Sequence, residues 1–162
     1  MRIALMAVLI VVMSSIPGFA AKFDIDYFNG IKWGSKIGGF NGFKYVSNGT
    51  LGEKYYSRSS DKSTFEGIKV EDFIYTAKNG VLRQSHFLFE GDSNYQKVRR
   101  FLVVKFMKVE RMENGFEVFR LYNGKRFVNA MLQYNGGRGM VNFSFTGDEE
   151  VNKAYRAIEK LN

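Results

Sequence analysis

The chain has no cysteine, a single proline (Pro17), a single histidine (His86) and a single tryptophan (Trp33) in 162 residues. Without cysteine there is no disulfide framework, no thiolate metal site and no lipid-modified cysteine. One histidine does not by itself build a transition-metal centre, and it leaves one imidazole for acid–base work. With proline absent after position 17, and no charge block or Ser/Gly tract, no linker divides the chain. No cofactor or metal site is expected.

Apolar residues run from Ile3 to Met13 behind Arg2, followed by Ser14, Ser15 and Pro17, with Gly18 and Ala20 at the small positions of a cleavage site. This is the layout of a secretory signal cut after Ala20. The run is too short to span a bilayer core, which needs about 20 apolar residues. Residues 1–20 are therefore read as a cleaved signal and residues 21–162 as one domain. The protein is expected to be exported, with the periplasm ahead of secretion, and to keep no transmembrane segment.

What is abundant is aromatic and cationic. Aromatic residues make up 16% of the chain, enough bulk for a core without staples, and the formal net charge is +8. A basic exported protein meets anionic lipid, lipopolysaccharide and wall polymers before nucleic acid, and no nucleic-acid-binding motif is present.

Asn-Gly recurs at 29–30, 41–42, 48–49, 79–80, 114–115, 123–124 and 135–136, the dipeptide best suited to the positive φ angles of a type I′ turn. Three of these sites are framed by strand-like runs: FKYVS and EKYYSR, IKVEDFIYTAK and VLRQSHFLFE, and FEVFRLY and KRFVNAMLQY. MVNFSFT adds a strand with Val141, Phe143 and Phe145 on one face. A first helix is expected behind a Ser93–Gln96 capping box, with Tyr95, Val98, Leu102, Phe106 and Val109 on its apolar face. A second follows Thr146 and Glu149, with Val151, Ala154, Tyr155, Ile158 and Leu161 as its stripe. The order β-hairpin, β-hairpin, α, three-strand meander, α predicts an α+β fold, a mostly antiparallel sheet with two amphipathic helices on one face.

FNGIKWGSKIGGFNGFKYV carries a comb of glycines at 30, 34, 38, 39 and 42. It is not a phosphate loop, because Gly34-Ser35-Lys36 has the wrong order and no apolar strand precedes it. Turn glycines are the economical reading, with Trp33 as a packing anchor. The opening Phe28-Asn-Gly-Ile-Lys-Trp-Gly-Ser35, with Ile37, resembles the start of a family of small uncharacterised exported bacterial proteins whose mature chains begin F-x-G-I-x-W-G-[ST]-x-I. The resemblance extends in layout through the Lys54-Tyr55-Tyr56-Ser57-Arg58 hairpin to about residue 108. Members usually continue with a short helical segment, which Gly38, Gly39 and Gly42 disfavour here. The resemblance implies export and a compact α+β domain, and it transfers no catalytic residue.

Ser85 and His86 are adjacent on an expected strand, so their side chains face opposite ways and do not form a dyad. No nucleophile–base pair or carboxylate pair stands out, which favours a non-enzymatic domain binding another envelope component. The first helix offers the sharpest candidate: Lys97, Arg100, Lys105, Lys108 and Arg111 group opposite its apolar stripe, with Phe101 projecting among them. Arg138, on a turn, joins this basic surface. The alternative functions are a binder of anionic lipid, lipopolysaccharide or wall polysaccharide through that surface, and a hydrolase of an envelope substrate.

Overall fold

The computed structural model describes residues 23–37, 42–106, 108–112, 115–122 and 126–146. The chain opens with a two-residue hairpin, β1 (Tyr27–Phe28) and β2 (Ile31–Lys32), then forms β3 (Phe43–Asn48) and β4 (Glu53–Arg58). A second miniature hairpin follows, β5 (Thr64–Phe65) and β6 (Ile68–Lys69), then the long pair β7 (Asp72–Lys78) and β8 (Val81–Glu90). One helix, α1 (Asp92–Lys105), leads to β9 (Lys108–Arg111), β10 (Glu117–Tyr122), β11 (Phe127–Asn135) and β12 (Arg138–Thr146).

The main sheet has eight strands in the order β3-β4-β7-β8-β12-β11-β10-β9, every neighbour antiparallel. It consists of two four-stranded meanders joined where β8 meets β12. Alternation divides each strand between two faces. Phe73, Tyr75, Phe87, Phe89, Val141, Phe143, Ala130, Leu132 and Phe119 point inward and are buried, while Ile74, Gln84, His86, Leu88, Met140, Asn142 and Met131 lie on the outer face. Val98 and Leu102 of α1 seal the inner face together with the two miniature hairpins.

Those hairpins are built from the same five-residue pattern, Phe28-Asn-Gly-Ile-Lys32 and Phe65-Glu-Gly-Ile-Lys69. In each, the second and third residues take positive φ (Asn29 49°, Gly30 77°; Glu66 50°, Gly67 77°), a type I′ turn that aims Phe and Ile into the core. Phe28 and Phe65 are fully buried and stack on each other with ring centroids 5.4 Å apart.

The expected α+β fold with two amphipathic helices is corrected to a mostly β structure with one helix among the described residues. The expected strands are present, except that the run 68–78 is broken: Ile68–Lys69 closes the second miniature hairpin and only Asp72–Lys78 joins the main sheet. The first helix, however, stops at Lys105 because Phe106 is extended (φ −111°, ψ 138°), and Lys108–Arg111 joins β10 as a strand instead of continuing the helix. The Val103-Val104 pair just before the stop has poor helix propensity, and Val109 finds a strand partner in Phe119. The helix also starts earlier than its capping box: Gly91 (φ 85°) is the N-cap, with no side-chain cap, and Asp92 lies in the first turn. Thr146, the expected cap of the second helix, is the last residue of β12, paired with Phe127. The rest of that second helix lies outside the described residues, as do the signal segment and Gly38–Gly39. In the β3–β4 hairpin the positive φ angles fall on Leu51 and Gly52, three positions beyond Asn48-Gly49.

Gly139 is the most closely enclosed of the described glycines. A Cβ there would lie 2.0 Å from Cζ of Phe89, whose ring is fully buried and stacked on Tyr134. Gly139→Ala should destabilise the protein by about 1–3 kcal/mol, the usual range for an overpacked core. Thermal unfolding checks this, and a midpoint equal to wild type would show that Phe89 is free to move aside.

Candidate functional site

Helix α1 positions the basic surface expected from the sequence, and the structure redistributes its members. Lys97, Arg100 and Lys105 are exposed, with Val103 and Val104 exposed beside them; Val104 is 73% accessible, high for an apolar helix residue. Phe101 is not among them. It turns under the helix against the rings of Phe65 (5.5 Å) and Phe23 (6.0 Å), so its role is packing. Lys108 and Arg111 belong to β9, across from Arg120 and Glu117 respectively, and so are not part of the helical face.

Arg138 begins β12, and its Nε donates to Glu90 Oε1 at 2.8 Å, just before the helix N-terminus. That hydrogen bond holds the Glu90 carboxyl below its ordinary range. Arg138 is therefore engaged by an acid at the end of α1 opposite Lys105. The helix N-terminus is fastened at the same corner: Gly91 N–H donates to Gly137 O (2.8 Å), and the Tyr134 hydroxyl donates to Asp92. Its hydrogen bond to that carboxylate helps push the Tyr134 phenol up to about 12. Arg99, on the flank of the helix, donates to Glu117 (3.0 Å), a nearly buried acid that also accepts from the Tyr95 hydroxyl.

Two further groups of titratable residues have clear structural roles. Asp61 accepts from Arg58 Nε (2.6 Å), Asn29 Nδ2 (2.8 Å) and the Tyr75 hydroxyl (2.8 Å), while Arg58 also donates to the Asn29 carbonyl and lies over the Tyr75 ring. The network ties the first miniature hairpin to β4 and β7. Burial raises the Asp61 carboxyl above its usual range despite the opposing pull of Tyr75 and Arg58. The ion pair is thus not a source of large net stability, yet its loss would strand a charge. Sequence reasoning passed over Arg58 and Asp61; their separation by three residues at the end of β4 was the available signal.

Ser85 and His86 do face opposite sides of β8. Ser85 is fully buried, paired with Tyr75 and Phe143, and among the described residues neither its hydroxyl nor the Trp33 indole N–H has a hydrogen-bond partner. Trp33 is nonetheless a packing anchor, 5% exposed and stacked parallel to Phe145 at 5.8 Å. His86 is half-buried on the outer face between Ile74 and Asn142. Among the described residues no group of three His, Cys, Asp or Glu side chains is arranged to hold a metal ion. No helix there is long and apolar enough to cross a membrane. No protein-family model, curated protein or solved structure matches the chain.

Asp61→Ala should destabilise by about 3 kcal/mol, because Arg58 would remain largely buried without its acid. Chemical denaturation should show the double change Arg58→Met with Asp61→Ala recovering a large part of that loss. Burial lowers the His86 pKa, against a smaller upward pull from Asp72. The folded value lies below the unfolded one, so the stability contribution is complete above the unfolded pKa of about 6.5. It is lost as pH falls through the folded value. His86→Gln should flatten the fall in melting temperature below about pH 6.5, and an unchanged profile would assign that fall to other groups.

Proposed function

We propose that this protein is an exported, non-enzymatic binding domain that attaches to an anionic lipid surface of the cell envelope through the outer face of α1. The observation that carries the reading is the exposure of Val103 and Val104 beside Lys97, Arg100 and Lys105. Solvated helix faces seldom place two adjacent valines among cations, whereas a lipid headgroup region accommodates both kinds of side chain. The formal net charge, +8 for the whole chain and +7 once Arg2 leaves with the signal, adds a long-range attraction to the same surface. With Phe101 turned inward, the apolar contribution is small, so attachment is led by charge and is sensitive to salt. Export rests on the Arg2 to Ala20 segment and on the resemblance of Phe28–Ile37 to the openings of small exported proteins.

Each basic residue near an anionic surface contributes about 1 kcal/mol. Lys97→Glu with Arg100→Glu should therefore weaken binding by at least about 30-fold. Co-sedimentation with vesicles containing phosphatidylglycerol, compared with phosphatidylcholine alone, measures this. Wild type should bind only the anionic vesicles and release them as salt rises. Equal behaviour of both vesicle types, or of wild type and double variant, would sink the lipid reading in favour of a protein partner.

A further inference from the structure

The outer face of the sheet carries a second feature, created by the way the two meanders separate. Strand β12 pairs with β8 from Arg138↔Glu90 to Ser144↔Gln84 and no further. At that point β8 has a bulge: Thr76 of β7 pairs with Gln84 but Ala77 pairs with Leu82, leaving Arg83 as the extra residue. A bulge bends its strand and sharpens the local twist. Beyond it, the edge of β8 that β12 leaves is taken by the Trp-Gly-Ser segment. Gly34 N–H donates to Leu82 O, Leu82 N–H to Ser35 O and Ile37 N–H to Gly80 O, all between 2.9 and 3.1 Å. Residues 34–37 thus wedge the sheet into a fork, with Trp33 stacked on Phe145 on the inner side.

On the outer side the fork opens into a cleft of about 520 Å³. Its lining includes Lys78, Arg83, Gln84, Ser144, Thr146 and Glu53. We infer that this cleft at the fork of the sheet is a binding site for a small anionic saccharide, a sugar carrying a carboxylate or phosphate group. The volume falls in the range of small-molecule sites and is far larger than a single inorganic ion requires. The lining supplies the functions that such a ligand uses. Lys78 offers positive charge to the acidic group, and Arg83 on the cleft wall adds to the local positive field. Gln84, Ser144 and Thr146 offer neutral donors and acceptors, and Glu53 accepts from sugar hydroxyls. A site built for a bare anion would have no use for Glu53, and Val81 and Phe145, which also line the cleft, give a sugar ring an apolar wall beside these polar groups. Gln84 and Ser144 sit in register on neighbouring central strands, so the cleft floor is held by the ladder itself.

The site is across the sheet from α1, so it stands or falls independently of the lipid-binding reading. The test is a titration of the full mature chain with glucuronate, glucose 6-phosphate and neutral glucose, following backbone amide signals by NMR. At least one of the two anionic sugars should shift the amides of Lys78, Gln84, Ser144 and Thr146, with a Kd of about 1 mM. Neutral glucose should bind about tenfold more weakly or less well, and the comparison of the two anionic sugars tells carboxylate from phosphate recognition. Lys78→Gln, a change at an exposed strand end, should weaken the anionic sugar about tenfold and leave glucose unaffected. Lys97→Glu with Arg100→Glu should leave every titration unchanged. No localised shift with any of the three sugars up to about 10 mM, or shifts scattered over α1, would overturn the assignment. Equal affinity for glucose and both anionic sugars would overturn its anionic character.

Discussion

The free backbone edge of β8 governs the arrangement of the rest. A strand inside a sheet must satisfy its N–H and C=O groups on both sides, and β8 does so with three partners. β7 takes one side, β12 takes most of the other, and residues 34–37 take what β12 leaves. This sharing places Trp33 against Phe145, joins two otherwise local meanders into one sheet and opens a polar cleft on the outer face. The glycine-rich opening is therefore a structural wedge, and Gly34, at a φ of 80°, supplies the turn that lets it enter.

Around that junction aromatic rings meet at the centre of the inner face, with aliphatic side chains such as Leu82, Leu102, Val128 and Val141 filling in around them. Phe143 lies within 6.2 Å, centroid to centroid, of Phe23, Phe28, Phe65, Phe87 and Phe106, which come from five separate segments. Tilted and edge-on rings at this spacing tolerate irregular geometry better than interlocking aliphatic chains do. Such a core accepts two short hairpins and one helix in place of a complete covering layer. The Trp33 N–H and Ser85 hydroxyl, without a hydrogen-bond partner among the described residues, are a cost of that apolar surrounding, about 1–3 kcal/mol each if unrelieved.

Strand positions were legible in the sequence because alternation and turn chemistry are local. Asn79-Gly80 with positive φ at both residues is the clearest instance. The length of α1 was not legible, since Phe106 and Val109 continue the helical stripe of Val98 and Leu102, and only the pairing of Val109 with Phe119 in β10 settles the matter. Phe101 was misread for the same reason: its angle on the helix is intermediate, and its burial is decided by Phe23 and Phe65, which are distant in sequence. The repeated Phe-x-Gly-Ile-Lys pattern was visible but too short to be read as two equivalent plugs. The outer-face cleft had no sequence signal, because it arises from a one-residue bulge and from a strand borrowed across the chain.

The strand order also sets an order of assembly. Within each meander the pairings join segments close in sequence, and such contacts form early at small entropic cost. The β8–β12 junction and the seating of Trp33 on Phe145 span far more of the chain and become possible only once β12 has emerged. Until then, each half presents an open strand edge and an aromatic face to its surroundings. Closure of the fork is thus the step that turns two sticky half-sheets into one molecule, and its latch is carried near one end of the fold while its keeper lies near the other.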